Sequence, residues 1–174
     1  MTIDVPKIEK GLDGVSPITA AHLYEAYVVC MHRYAHLETV VLKMESPCQD
    51  VCLKWEDRYE ESLERTYADM QYTTEHGAVC LSLMLTAELT PYTVIERSRK
   101  GTGFDYWLGE KGSKLFQKKA RLEVSGILDG NDAIMASRYS AKALQTERSD
   151  QTGLPAYISI IEFSRPKAIF KIKE

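Results

Sequence analysis

Gly101-Thr102-Gly103-Phe104-Asp105-Tyr106-Trp107-Leu108 and Ala120-Arg121-Leu122-Glu123-Val124-Ser125-Gly126 decide the reading of this chain. Each half reads as a short apolar strand with one acidic residue where an ordinary strand carries a neutral one. Two carboxylates on neighbouring strands repel each other and are costly to desolvate. A fold tolerates such a pair when something positive stands between them, most often a metal ion.

Outward from that pair the elements follow a definite order. Upstream, Ala78 to Leu89 is apolar on most sides, as a helix buried against a sheet would be. Thr73 or Thr74 is its expected N-cap, with Glu75 in the first turn, and Pro91 ends it. Tyr92 to Ser98 reads as a strand, Arg99 to Gly103 as a turn, and Phe104 to Leu108 as a second strand. Gly109 to Lys114 reads as a loop and Lys119 to Ser125 as a third strand. Asp132 to Arg148 has helical spacing, with Ala133, Ala136, Tyr139, Ala143 and Leu144 as its buried side. Ala156 to Phe163 and Ala168 to Ile172 read as two further strands. The expected fold class is α/β: a mixed sheet flanked by helices, built from helix, three strands, helix and strand.

The first 72 residues are expected to form a separate unit, with 73–174 as the core. Leu23, Tyr27, Cys30, Tyr34, Leu37, Val41 and Met44 recur in steps of four and three, which predicts one helix running to about Glu45. Ser46-Pro47 breaks it. Cys52, Trp55, Tyr59, Leu63, Thr66 and Met70 predict a second helix from about Gln49 to Tyr72. Together they predict an antiparallel helical hairpin with an acidic outer face, and helical arms of this kind often form dimers.

Charge is unevenly placed. Glu45 to Glu75 holds nine acids and three bases, whereas Glu96 to Arg121 holds eight bases and three acids. The basic block surrounds the carboxylate pair, so a polyanion is drawn there despite a net charge of −3. No apolar run approaches the ~20 residues of a membrane span. Met1 to Lys10 lacks the apolar stretch of a signal peptide, so a cytoplasmic protein with reduced cysteines is expected. Cys48 and Cys52 are four apart, as are His32 and His36; the spacing of a zinc knuckle is absent, and Cys30 and Cys80 read as core residues. A Gly-x-Ser-x-Gly elbow, a P-loop and a dinucleotide fingerprint are also absent from the sequence.

The element order and the spaced Asp105…Glu123-x-Ser125 resemble the restriction-endonuclease-like nuclease superfamily, named for its PD-(D/E)-x-K pattern. The resemblance covers about residues 73 to 172. It implies that Asp105 and Glu123 bind magnesium or manganese, that Glu75 on the early helix adds a carboxylate, and that residue 125 takes the place of the family lysine. Two departures stand out. Gly103-Phe104 replaces the nominal proline, and Ser125 replaces the lysine; a hydroxyl does not stabilise charge as an ammonium does. Lys142 on the following helix is the candidate substitute, on one face with Arg138 and Gln145. Arg99, Lys100, Lys119, Arg121 and Arg138 are the expected contacts to nucleic acid, with Lys119 and Arg121 sharing the strand parity of Glu123. The resemblance thus implies a metal-dependent endonuclease acting on DNA, as a homodimer through the hairpin or within a larger complex such as a defence system against foreign DNA. The alternative is a catalytically degenerate core that binds nucleic acid or a partner subunit.

Overall fold

A computed structural model describes residues 1–113 and 116–173. Lys114 of the basic block lies outside the described residues. Eight strands form one mixed sheet: β1 (Thr2–Asp4), β2 (Thr39–Ser46), β3 (Val51–Lys54), β4 (Tyr92–Arg97), β5 (Tyr106–Glu110), β6 (Ala120–Ile127), β7 (Ala156–Glu162) and β8 (Lys167–Ile172). Their order across the sheet is β1-β3-β2-β8-β7-β6-β5-β4. The helices are α1 (Pro17–Arg33), α2 (Glu61–Thr66), α3 (Met70–Leu89) and α4 (Asp132–Thr146). The α/β class and the order helix, three strands, helix, strand after residue 70 are those the sequence led us to expect. Among the described residues no helix is long and apolar enough to cross a membrane.

The antiparallel run β4-β5-β6 is followed by α4, which returns the chain to pair β7 parallel to β6. Strand parity then divides the sheet into two faces. Leu122 and Val124 of β6 join the main core with α1 and α3, and Ser159 of β7 meets Ser82 of α3 at 2.7 Å. Ile127, Ile158 and Ile160 point the other way and pack on Met135 of α4. The α3 helix begins at Met70, where Asp69 caps it by accepting from the N–H groups of Gln71 and Tyr72. Glu75 therefore sits in the second turn and not at the helix start.

The N-terminal helical hairpin is not formed. α1 stops at Arg33; Ala35 turns the chain with a φ of +50°, and β2 and β3 then extend the sheet. The physical reason lies in side-chain alternation. Leu42 and Met44 point inward from β2, and Val51, Leu53 and Trp55 do so along β3 and just beyond it. Period two competes there with an accidental period of three and four. The indole N–H of Trp55 donates to the Leu37 carbonyl at 2.8 Å and closes this corner. A dimer through the hairpin loses its surface, because Leu23, Tyr27 and Cys30 lie in the core. The expected boundary between 72 and 73 falls inside α3, and one sheet includes strands from both sides of it.

α3 crosses β6 at very close range. A Cβ on Gly126 would stand 2.4 Å from the Thr74 carbonyl oxygen and 2.8 Å from its methyl group. Gly126→Ala is therefore expected to push α3 from the sheet and cost on the order of 1–3 kcal/mol, as overpacking does. A urea unfolding curve unchanged from that of the unsubstituted protein would rule this contact out as a constraint.

Candidate functional site

β5 leaves β6 early. The two strands pair only from Ala120 to Leu122, whereas β6 stays paired with β7 through Ile127. The last backbone link is Asp105 N–H to the Leu122 carbonyl at 2.9 Å. Beyond it the Asp105 side chain replaces the departing strand: Oδ2 accepts the Val124 N–H at 2.9 Å. Gly103 makes that placement possible. Its φ of +87° favours glycine, and a Cβ there would fall 2.3 Å from the Gln145 carbonyl oxygen at the end of α4. The loop that carries Asp105 is thus pressed onto the helix that serves Glu123.

Along β6, Arg121, Glu123 and Ser125 all face α4, and α4 answers at matching spacing. Arg138 donates to Ser125 Oγ at 2.9 Å. Lys142 Nζ lies 2.5 Å from Glu123 Oε1, and Gln145 donates to the same oxygen at 2.8 Å. Glu123 is only 1% exposed. Its other oxygen, Oε2, is buried with no hydrogen-bond partner. An orphaned carboxylate oxygen in a protein interior is costly. Burial first, and then the neighbouring Asp105 carboxylate, raise the Glu123 pKa to about 7, against the pull of Lys142. A divalent cation would satisfy the orphaned oxygen and screen the repulsion together, so the residues present fit a hard metal.

Above these groups lies a cleft of about 220 Å³. Ser125 of β6 and Arg138 and Lys142 of α4 line it, with Asp105 from the loop before β5 and Glu75 and His76 from α3. Five residues singled out from the sequence, Glu75, Asp105, Ser125, Arg138 and Lys142, thus line one cleft. Glu75 is exposed and receives only a 3.4 Å contact from Gln71. Among the described residues no three His, Cys, Asp or Glu side chains form a metal-binding group. Asp105 and Glu123 are the two carboxylates that lie together, with Glu75 at the rim of the cleft. The Cys48, Cys52, His32 and His36 spacings likewise gather no such cluster.

The expected nucleic-acid contacts separate into three kinds. Arg99 and Lys100 are exposed on the turn beside Asp105 and join the cleft through Arg97. Arg138 lies at the cleft itself. Lys119 pairs with Glu110 at 3.6 Å and sits four residues before Glu123, ~13 Å away along the strand. Arg121 does not face a phosphate. It is 3% exposed and donates to the Leu154 and Thr146 carbonyls, to Ser149 and to Asp150. Its parity was read correctly, but the 3-10 turn Glu147–Thr152 covers that stretch of the face.

Two further residues belong with these groups: Arg97 of the cleft, whose guanidinium stacks on the Tyr106 ring at 5.6 Å, and Gln145, which holds Glu123 from behind the cleft. The first belonged to a basic run with no feature to single it out. Gln145 was placed on the right helical face with no role attached. His76 was placed beside the site by sequence. Its Nδ1–H donates to the Tyr72 carbonyl at 2.8 Å, which leaves Nε2 as its second nitrogen at the cleft.

The Glu123 shift has a direct consequence for stability. Its folded pKa of about 7 is above the ordinary 4.5, so folding favours the neutral acid. That contribution is complete below the unfolded value and is withdrawn as pH rises through about 7. In metal-free buffer the protein should lose up to roughly 3 kcal/mol relative to Glu123→Gln between about pH 5 and pH 8. Urea unfolding at several pH values measures this, and parallel profiles for the two proteins would exclude it. No family model matches the sequence, and no curated protein or solved structure matches it, so the cleft's own geometry speaks for its chemistry.

Proposed function

We propose that this chain is a metal-dependent nuclease that hydrolyses phosphodiester bonds of nucleic acid, DNA in preference to RNA. The observation that carries the reading is the buried Glu123 with its orphaned Oε2 beside Asp105, which itself lines a cleft rimmed by arginine and lysine. The second Glu123 oxygen is held by neither Lys142 nor Gln145 and faces the Asp105 carboxylate, a place that a shared proton or a cation fills.

Asp105 and Glu123 would hold magnesium or manganese. When bound, such an ion polarises a phosphoryl oxygen and lowers the pKa of a coordinated water. The protein's own groups do the rest. Gln145 and Lys142 fix Glu123 Oε1, so its free oxygen keeps one orientation. Lys142 brings an ammonium to the carboxylate pair from α4, which supplies the positive charge that Ser125 does not. Arg138 holds the Ser125 hydroxyl and presents its remaining N–H groups for phosphate oxygens. Arg97, Arg99 and Lys100 extend the attraction along the backbone of the nucleic acid. The proposal extends to work inside a larger system, for instance one defending against foreign DNA.

Asp105→Ala and Glu123→Ala should each remove magnesium-dependent cleavage of a DNA substrate by at least about a hundredfold. Lys142→Met should lower kcat by a comparable factor with little change in KM. Cleavage that persists in both carboxylate variants would sink the proposal. A core that binds DNA with the same affinity but never cleaves it, with or without added magnesium or manganese, would identify it as a degenerate binding module.

A further inference from the structure

The cleft opens at both ends, and the two ends differ in chemistry. At one end it shares Arg97 and Asp105 with a hollow of about 370 Å³ formed by the β4–β5 turn. Arg97, Arg99 and Lys100 are exposed there, and Asp105 is the sole acid in its lining. At the other end it shares Glu75 and Arg138 with a hollow of about 590 Å³ between α3 and α4. That second hollow is walled by Ile127, Leu128 and Ile134, with Asp129 and Glu75 on its rim.

A strand laid through the cleft passes from a basic arm into one that is net acidic and of mixed polarity. Backbone phosphates suit the first arm. In the second they would meet Glu75 and Asp129 with only Arg138 to offset them. A nucleobase fits that arm better on each count. Its flat face packs on Ile134, which is 43% exposed. Its exocyclic amino groups have two carboxylates to donate to. The Arg138 guanidinium offers a plane for stacking. A base enters such a hollow only with its pairing edge free, because in a duplex that edge is covered by its partner.

Resting on the nuclease reading of the central cleft, we infer that the α3–α4 hollow is a nucleobase subsite and that the substrate is unpaired there, as a single strand or the single-stranded side of a junction. Ile134 and Asp129 then set strand preference, while the carboxylate pair sets cleavage. Arg138 stands between them and reads the nucleotide at the boundary.

The test uses a labelled oligonucleotide, single-stranded or annealed to its complement. Binding is followed by fluorescence anisotropy in EDTA, and cleavage is followed in magnesium. The protein should bind the single strand at least about tenfold more tightly than the duplex. Ile134→Gln, neutral and well accepted at the third position of α4, should weaken single-strand binding about fivefold and leave duplex binding unchanged. Ile134→Trp should strengthen it by a similar factor, a gain that misfolding does not produce. Equal affinity for the two forms, or equal effects of both variants on the two forms, overturns the subsite. Strand preference that follows Ile134 in a protein that never cleaves keeps the subsite and removes the nuclease. Asp105-dependent cleavage without strand preference does the reverse.

Discussion

The hydrogen bond from the Val124 N–H to the Asp105 side chain is the constraint on which the site depends. A strand edge in mid-sheet cannot be left with bare backbone donors. β5 departs from β6 after Leu122, and something must take its place. A carboxylate does so with one oxygen. The same substitution brings Asp105 next to the buried Glu123, and their repulsion follows from the geometry. Opening the sheet and assembling two like charges are thus one event. α3 and α4 approach the opened edge from opposite faces, and the cleft is the space they leave.

Lys142 and Gln145 are the second half of that arrangement. Glu123 at 1% exposure would be prohibitively desolvated alone. One ammonium and one amide on the same oxygen make its burial tolerable without saturating it. The spacing of α4 is what makes this possible. Residues 138, 142 and 145 fall on one helical stripe, and residues 123 and 125 fall on one face of β6. The helix reads the strand in register, with Arg138 on Ser125 and Lys142 on Glu123.

This matching explains why the second half of the chain was legible. Strands of five to eight residues separated by Gly and Pro leave few alternatives, whereas the buried side of α4 is Met135 with Tyr139 and Ala143, and Ala133, Ala136 and Leu144, expected on it, are exposed. The pair Asp105 and Glu123 and the stripe on α4 were readable because parity and period are local properties. Depth is not local. Arg121 shares the parity of Glu123 but is covered by a turn almost 30 residues later, and nothing near Arg121 announces that cover. The first half failed for a different reason. α1 ends with Ala35 in the left-handed region, where a glycine would have marked the stop. Leu37, Val41 and Met44 then continue the helical count by coincidence, while Val40, Val41 and Leu42 form a β-branched and apolar run suited to a strand. Without a terminator, the longer period won the reading and the sheet won the fold.

The ammonium beside Glu123 comes from α4 and not from β6 itself, and that origin decides how the charge responds to its surroundings. A lysine at position 125 would be held by β6 and would share the fate of the sheet. Lys142 is 22% exposed and reaches Glu123 from a helix whose outer face is open to solvent. Its hold on Oε1 is strongest when Glu123 is ionised, which is also the state that a metal requires. Anything that neutralises Glu123 weakens both attachments together. The orphaned Oε2 and the Lys142 ammonium therefore belong together: a carboxylate half-satisfied in the interior, with its counter-charge supplied from the helix and not from its own strand.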